Sequence, residues 1–236
     1  MTSEKKSALV TGGTRGIGLA AALALLGRGY RVFAAYSSDE SSAKVAREQG
    51  IETVRADVSD EEAVRALFAR TGPTEVLVNN AGISLFKQIQ DTSAEEWDRI
   101  FAVNVRGAFL CAREAAKGMI SEKRGLIVNI SSVWGEVGGS CESAYSAAKA
   151  ALLGFTKALS KELGWSGIRV NSVSPGVIDT RMNSRFSSSE REALLEEIPL
   201  GRFGTGEDVA RAVLFLLDNE YVTGADIPVN GGFSVV

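Results

Sequence analysis

Short apolar runs alternate along the chain with longer segments whose apolar positions fall three and four residues apart. Runs of the first kind read as buried strands, and segments of the second kind as helices packed by one face. Ala8–Thr11, Arg31–Tyr36, Glu52–Ala56, Val76–Asn79, Leu126–Ile130, Arg169–Ser174 and Ile227–Val229 are the expected strands. Helices are expected over Leu19–Leu26, through Ala46, over Glu61–Arg70, from near Ser93, within Ile100–Leu110, from Ser143 past Leu159, around Ser189–Glu197 and over Val209–Leu217. Ser93 with Glu96 forms a capping-box pattern, and Thr205 with Asp208 suggests a cap for the last helix. Repeated strand and helix segments of this length imply a parallel α/β sheet covered on both faces, with ligands at the carboxyl ends of its strands. Residues 1–236 are expected to form one domain, and the polar run 181–206 reads as a lid over its site.

Composition narrows the function. A hydrophobic share of 45% and a charged share of 23% suit a soluble globular chain, and a net charge of −3 gives no footprint for nucleic acid. Met1–Lys6 is polar and runs into a short apolar segment ending at Thr11, so neither a signal peptide nor a membrane span is expected and the cytoplasm is the default. Two cysteines and no histidine argue against a disulfide framework or a zinc site and exclude every histidine-based triad. Proton carriers must then come from Tyr, Lys, Ser or carboxylates.

Tyr145 and Lys149 lie four residues apart in an alanine-rich helical run and so share a face. A phenol titrates near ~10 in isolation, and an ammonium beside it favours the phenolate, which would let Tyr145 give a proton to a carbonyl oxygen. The plainer alternative is two residues that merely share a helix surface. Gly12-Gly13-Thr14-Arg15-Gly16-Ile17-Gly18 joins the first strand to the first helix, the order a dinucleotide site needs, although a turn without a ligand reads the same way. The second strand ends in Tyr36-Ser37-Ser38 rather than a carboxylate, and Arg15 could meet a 2′-phosphate, so NADP is favoured over NAD. Asp39 and Glu40 read as N-terminal charges of the next helix. Asn104 is an amide in an apolar helical stretch, either functional or a satisfied core group, and Ser131-Ser132 follow the fifth strand, where serines are ordinary turn residues.

Taken together, Thr11–Gly18, Asp57, Asn79-Asn80-Ala81-Gly82, Asn104, Ser132, Tyr145-x-x-x-Lys149 and Pro175-Gly176 resemble the short-chain dehydrogenase/reductase family over nearly the whole chain. The resemblance implies a Rossmann-like, doubly wound, seven-stranded parallel sheet and a homotetramer built partly from the helices of Asn104 and Tyr145. It implies Tyr145 as general acid, Lys149 as its electrostatic partner and a ribose ligand, Ser132 as the group orienting the substrate carbonyl, and Asn104 as holder of a water beside Lys149. Gly12, Thr14, Arg15, Gly16, Ile17, Gly18, Tyr36, Ser37, Ser38, Asp57, Val58, Asn79, Ala81, Gly82 and Pro175, Gly176, Val177, Ile178 and Thr180 would line NADPH, with no metal involved.

Within the family, length, glycine loop and strand tip look like those of 3-oxoacyl-acyl-carrier-protein reductases. Lys123-Arg124 could dock an acidic carrier, although Gly164-Trp165-Ser166 has no basic residue where a second patch is expected. The stretch Ser131–Glu142 and the later Glu197–Arg202 are also similar to reductases of a 5-aminopentanone group on elongation factor P. Trp134, Glu136, Cys141 and Glu142 are then candidates for substrate contact, with a glutamate pairing the amine. The alternatives are solvated loop charges and packing residues. A catalytically silent NADP sensor or scaffold remains a third reading.

Overall fold

The computed structural model describes residues 6–180 and 187–235. Seven strands, β1 (Ser7–Thr11), β2 (Arg31–Tyr36), β3 (Glu52–Arg55), β4 (Val76–Asn79), β5 (Gly125–Ile130), β6 (Ile168–Pro175) and β7 (Asp226–Val229), form one sheet in the order β3-β2-β1-β4-β5-β6-β7. Every neighbouring pair is parallel. The chain winds outward from β1 in one direction and then from β4 in the other, so a crevice opens at the carboxyl ends of β1 and β4.

Strand periodicity explains why both faces are buried. Ala8, Val10, Val32, Ala34, Val76, Val78 and Val128 enter one cluster with α1 (Gly16–Gly27) and α9 (Gly206–Asp218), while Leu9, Phe33, Leu77 and Ile127 enter a second with α3 (Glu61–Thr71) and α5 (Gly107–Glu122). Alternate residues point to opposite faces, and helices cover each, which is why these strands read as continuous apolar runs.

The remaining helices are α2 (Glu40–Glu48), α4 (Ala94–Phe101), α6 (Val133–Val137), α7 (Ser143–Leu163) and α8 (Ser188–Glu196). Local chemistry starts several of them: Asp39 caps α2, the Ser93 and Glu96 capping box opens α4, and the Thr205 and Asp208 box opens α9. The apolar stretch Ile100–Leu110 is not one helix. It ends α4, passes through a widened π-type turn at Ala102–Arg106 and begins α5, placing a local irregularity at Asn104. The short α6 has no counterpart among the expected elements. Of the expected lid at 181–206, residues 181–186 lie outside the described residues; the rest contains α8, which buries none of its residues.

Candidate active site

Lys149 lies one helical turn beyond Tyr145 on α7, so the rigid helix holds both on one face. The Lys149 ammonium is 4% exposed, donates to the Ile130 carbonyl at 2.7 Å and stands 5.6 Å from the centre of the Tyr145 ring. Burial pushes its pKa down to about 8. It therefore remains largely protonated at neutral pH, and it can stabilise negative charge on the Tyr145 oxygen as a proton leaves.

Ser132 arrives from β5. Ser131 Oγ donates to the Lys149 carbonyl at 2.9 Å, tying the strand end to α7, and Ser132 caps α6 by accepting from the Trp134 N–H at 3.2 Å. Ser132, Tyr145 and Lys149 line one cavity of ≈ 350 Å³, together with Trp134, Glu142, Phe86, Leu194 and Glu197. Pro175, Gly176, Val177, Ile178 and Thr180 close its other side. The site is therefore assembled from elements spread across most of the chain.

Asn104 is 1% exposed, and both of its amide atoms are spent on one residue: Oδ1 accepts from the Ile83 N–H and Nδ2 donates to the Ile83 carbonyl, each at 2.9 Å. Its side chain fixes the loop after β4, where Gly82 sits between it and Lys149. That side chain thus braces the loop beside Lys149, the place where the family resemblance expects Asn104 to hold a water.

The glycine loop fits a dinucleotide. A Cβ on Gly18 would come within 2.3 Å of the Gly12 carbonyl oxygen, so only glycine lets α1 start this close to the loop. Arg15, at the N-cap of α1, makes no side-chain cap and there is no acid in the first turn, leaving the first N–H groups available to a pyrophosphate. Gly12, Arg15, Gly16, Ile17, Ala81, Gly82 and Thr180 line a cleft of ≈ 650 Å³ that shares Ile17, Asn80, Gly82, Ser84 and Thr180 with the first cavity. Thr14 is buried within the loop.

Other sequence candidates serve as its frame. Asn79 donates from Nδ2 to Asn129 Oδ1 at 2.9 Å and to the Ala108 carbonyl at 3.2 Å, so its amide is a core group. Asp57 accepts from the Ser59 N–H and hydroxyl and faces Arg99 at 3.3 Å, which holds its carboxyl below the usual range despite burial acting the other way. Val58 packs in the core. At the β2 tip the Tyr36 hydroxyl bonds Glu40 and the Ser37 carbonyl accepts from Arg55 at 3.0 Å, while Arg15 faces Asp39 at 3.6 Å; Ser38 follows on the same turn.

Three expectations change. Glu136 does not line the cavity but turns to Ser174 and Asp226, because α6 winds its side chain toward β6 and β7. Cys141 does not line it either; its carbonyl accepts from the Lys87 N–H at 2.6 Å, bracing two loops. Lys123-Arg124 lies just before β5 begins, whereas the cavity lies beyond its end at Ile130, so this patch is at the opposite end of the sheet and Arg124 is paired with Glu75 at 3.0 Å. Two residues were absent from the expected cofactor set. Thr11 Oγ1 accepts from the N–H groups of Asn80 and Ala81 at 3.0 Å, and Asn80 Nδ2 donates to the Thr11 and Gly12 carbonyls at 3.0 and 3.1 Å. Their positions beside the glycine loop and after β4 were the available signal.

A parallel sheet with a glycine-loop cleft at its switch point, and a Ser, Tyr and Lys set opening into that cleft, defines a dinucleotide-dependent oxidoreductase acting between C–OH and C=O. The family model described as enoyl-(acyl carrier protein) reductase matches residues 12–234. The chain belongs to the short-chain dehydrogenase/reductase family, whose members use NAD(P). It is 39% identical over 239 residues to the 3-oxoacyl-[acyl-carrier-protein] reductase FabG of Staphylococcus aureus (strain Mu50 / ATCC 700699), covering 96% of this chain and 97% of that one. It is 41% identical over 233 residues to the acetoacetyl-CoA reductase of Shinella zoogloeoides, with 95% and 97% covered. A crystal structure from Agrobacterium tumefaciens, provisionally described as a gluconate dehydrogenase, superposes with a TM-score of 0.93 at 32% identity over 98% of this chain and 97% of that one.

Proposed function

We propose that the chain is an NADPH-dependent ketone reductase of the 3-oxoacyl-acyl-carrier-protein reductase type. The observation that carries this reading is the convergence of Ser132, Tyr145 and buried Lys149 on a cavity continuous with the glycine-loop cleft. Gly12, Arg15, Gly16, Ile17, Ala81, Gly82 and Pro175–Thr180 would hold the cofactor, which supplies the hydride when bound. The Ser132 and Tyr145 hydroxyls donate to the carbonyl oxygen, Tyr145 transfers its proton as charge develops there, and Lys149 stabilises the resulting phenolate. Leu194 and Glu197 cover the substrate side as the described part of a lid. The test is oxidation of NADPH, and separately NADH, with an acetoacetyl thioester, using Tyr145→Phe as control. Tyr145-dependent turnover preferring NADPH supports the reading; tight NADPH binding without turnover of any ketone favours a sensor instead.

The NADPH preference is read from Arg15 and from the absence of a carboxylate at Tyr36-Ser37-Ser38. Asp39 shares that guanidinium and caps α2, so it weakens the attraction for a 2′-phosphate. Arg15→Ala is expected to raise KM for NADPH by roughly tenfold, about one charge-assisted hydrogen bond, and to leave NADH nearly unchanged. Asp39→Asn keeps the cap and is expected to shift preference further toward NADPH. Steady-state kinetics with both cofactors measures each change.

A carrier-bound acyl chain, a cytoplasmic location and a homotetramer accompany this reading. The relative from S. aureus is named for a carrier-protein substrate, no helix among the described residues is long and apolar enough to cross a membrane, and Phe109 and Ile120 stand exposed on α5, where self-association would cover them.

A second reading, a 5-aminopentanone group on elongation factor P, is favoured by two carboxylates in the cavity wall, Glu142 and Glu197. Glu142 is 6% exposed at the start of α7, where a cationic amine would find it desolvated. Glu142→Gln is expected to lower kcat/KM for an amine-bearing ketone by about tenfold, while sparing an acetoacetyl thioester. Equal effects on both substrates would count against this reading.

A further inference from the structure

The helix that begins at Ser132 is held from two sides. On one, a Cβ on Gly135 would lie 2.8 Å from the Lys149 carbonyl carbon, so α6 touches the backbone of α7 at the buried lysine. On the other, Glu136 reaches Asp226, the first residue of β7, and Ser174, the fully buried residue before Pro175. Ser174 Oγ donates to Asp226 Oδ2 at 2.7 Å.

Two carboxyl groups therefore meet in a confined space. Glu136 Oε2 and Asp226 Oδ1 are both buried and accept no hydrogen bond, and among the described residues neither carboxyl is ion-paired with a Lys or Arg. Of the elements packed against α6, α7 carries Tyr145, Lys149, Lys157, Lys161 and Glu162 and β6 carries Arg169. Lys149 is hydrogen-bonded to the Ile130 carbonyl and Arg169 to the Leu216, Leu217 and Asn219 carbonyls, and the groups that act on Glu136 are Asp226 of β7 and the Ser174 hydroxyl of β6. Two like charges so placed, without a cation, repel, which favours a proton on the Glu136 carboxyl.

We propose that Glu136 and Asp226 share one proton and thereby clamp α6 onto the ends of β6 and β7, making Glu136 a positioning residue for Ser132. Burial, followed by the nearby Asp226, raises the Glu136 carboxyl to about 7. The sign follows: the shared proton is held below that pH and lost as pH rises through it, when two anions repel and α6 loosens. Ser132 heads this helix and Trp134, which meets Phe233 edge-on at 5.4 Å, lies on it, so both report its position.

This inference rests on the reductase reading for its kinetic consequence but not for its titration. Glu136→Gln supplies a permanent N–H donor to Asp226 and is expected to keep turnover at pH 6. The ratio of its kcat to that of the wild type should rise at least about fivefold between pH 6 and pH 9, part of the ~10²–10³ lost when such a donor is removed outright. Tyr145 and Lys149 are the same in both proteins, so their titrations cancel in the ratio. In a Trp97→Phe/Trp165→Phe background, Trp134 emission should shift with a midpoint near the Glu136 value, and this shift should vanish in Glu136→Gln. Carboxyl ¹³C NMR should show Glu136 titrating near neutrality and at a lower pH in Asp226→Asn, where the burial contribution remains. A Glu136 midpoint below pH 5, or a constant kcat ratio with pH-independent Trp134 emission, overturns the clamp. A wild type that reduces no ketone fails the reductase reading alone, because emission and NMR still decide the shared proton.

Discussion

Tyr145→Phe is expected to reduce turnover by at least ~10², with NADPH affinity changed much less, because the substitution removes one O–H and almost no volume. The ring remains packed at 9% exposure on α7, so neither the helix nor the cavity wall is disturbed. What disappears is the only phenol lining the cavity among the described residues, and with it the proton it would deliver as the carbonyl oxygen gains charge. Ser132 remains as a hydrogen-bond donor, so residual reduction is expected rather than none. Single-turnover kinetics with preloaded NADPH, beside a direct binding titration, separates the two effects. Near-normal turnover would refute the assignment of Tyr145 as the acid.

Lys149→Met should cost a comparable ~10² or more in turnover, since the charge that supports the phenolate goes with the ammonium. Its effect on stability runs the other way with pH. The folded protein holds this lysine at about 8 by burial, below its unfolded value of 10.5. Between those values the unfolded chain binds the extra proton, so wild-type stability rises with pH across the window, and the cost of burying the charge is fully present below it. The shift corresponds to about 3 kcal/mol, offset in part by the hydrogen bond to the Ile130 carbonyl. The stability of the wild type relative to Lys149→Met should therefore increase between about pH 8 and 10.5. Urea unfolding of both proteins across that range tests it; parallel pH curves would show that burial does not lower the Lys149 pKa.

Much of this arrangement is legible along the chain because its causes are local. Period-two burial of Ala8, Leu9 and Val10, the caps at Asp39, Ser93 and Thr205, and the glycine loop that opens α1 each depend on residues a few positions apart. Tyr145 and Lys149 share a face for the same reason. The parallel sheet and the end of it that carries the site follow from the order of the elements, without knowledge of any distant contact.

Tertiary structure decided what depends on approach from elsewhere. Glu136 and Glu142 are equivalent as letters in one loop, yet α6 turns the first toward Asp226, which enters from β7 at the far end of the chain, while the start of α7 places the second in the cavity wall. The Asn104 amide is committed to Ile83 because a π-type turn, invisible in an evenly apolar stretch, rotates it there. Lys123-Arg124 precedes β5 and so stands a strand's length from the chemistry, despite lying close to Ser132 in sequence. The sequence by itself determined which residues could do chemistry and on which elements they lie. Only packing across long separations determined which of them are desolvated together, and desolvation is what turns a lysine or a carboxyl into a working group.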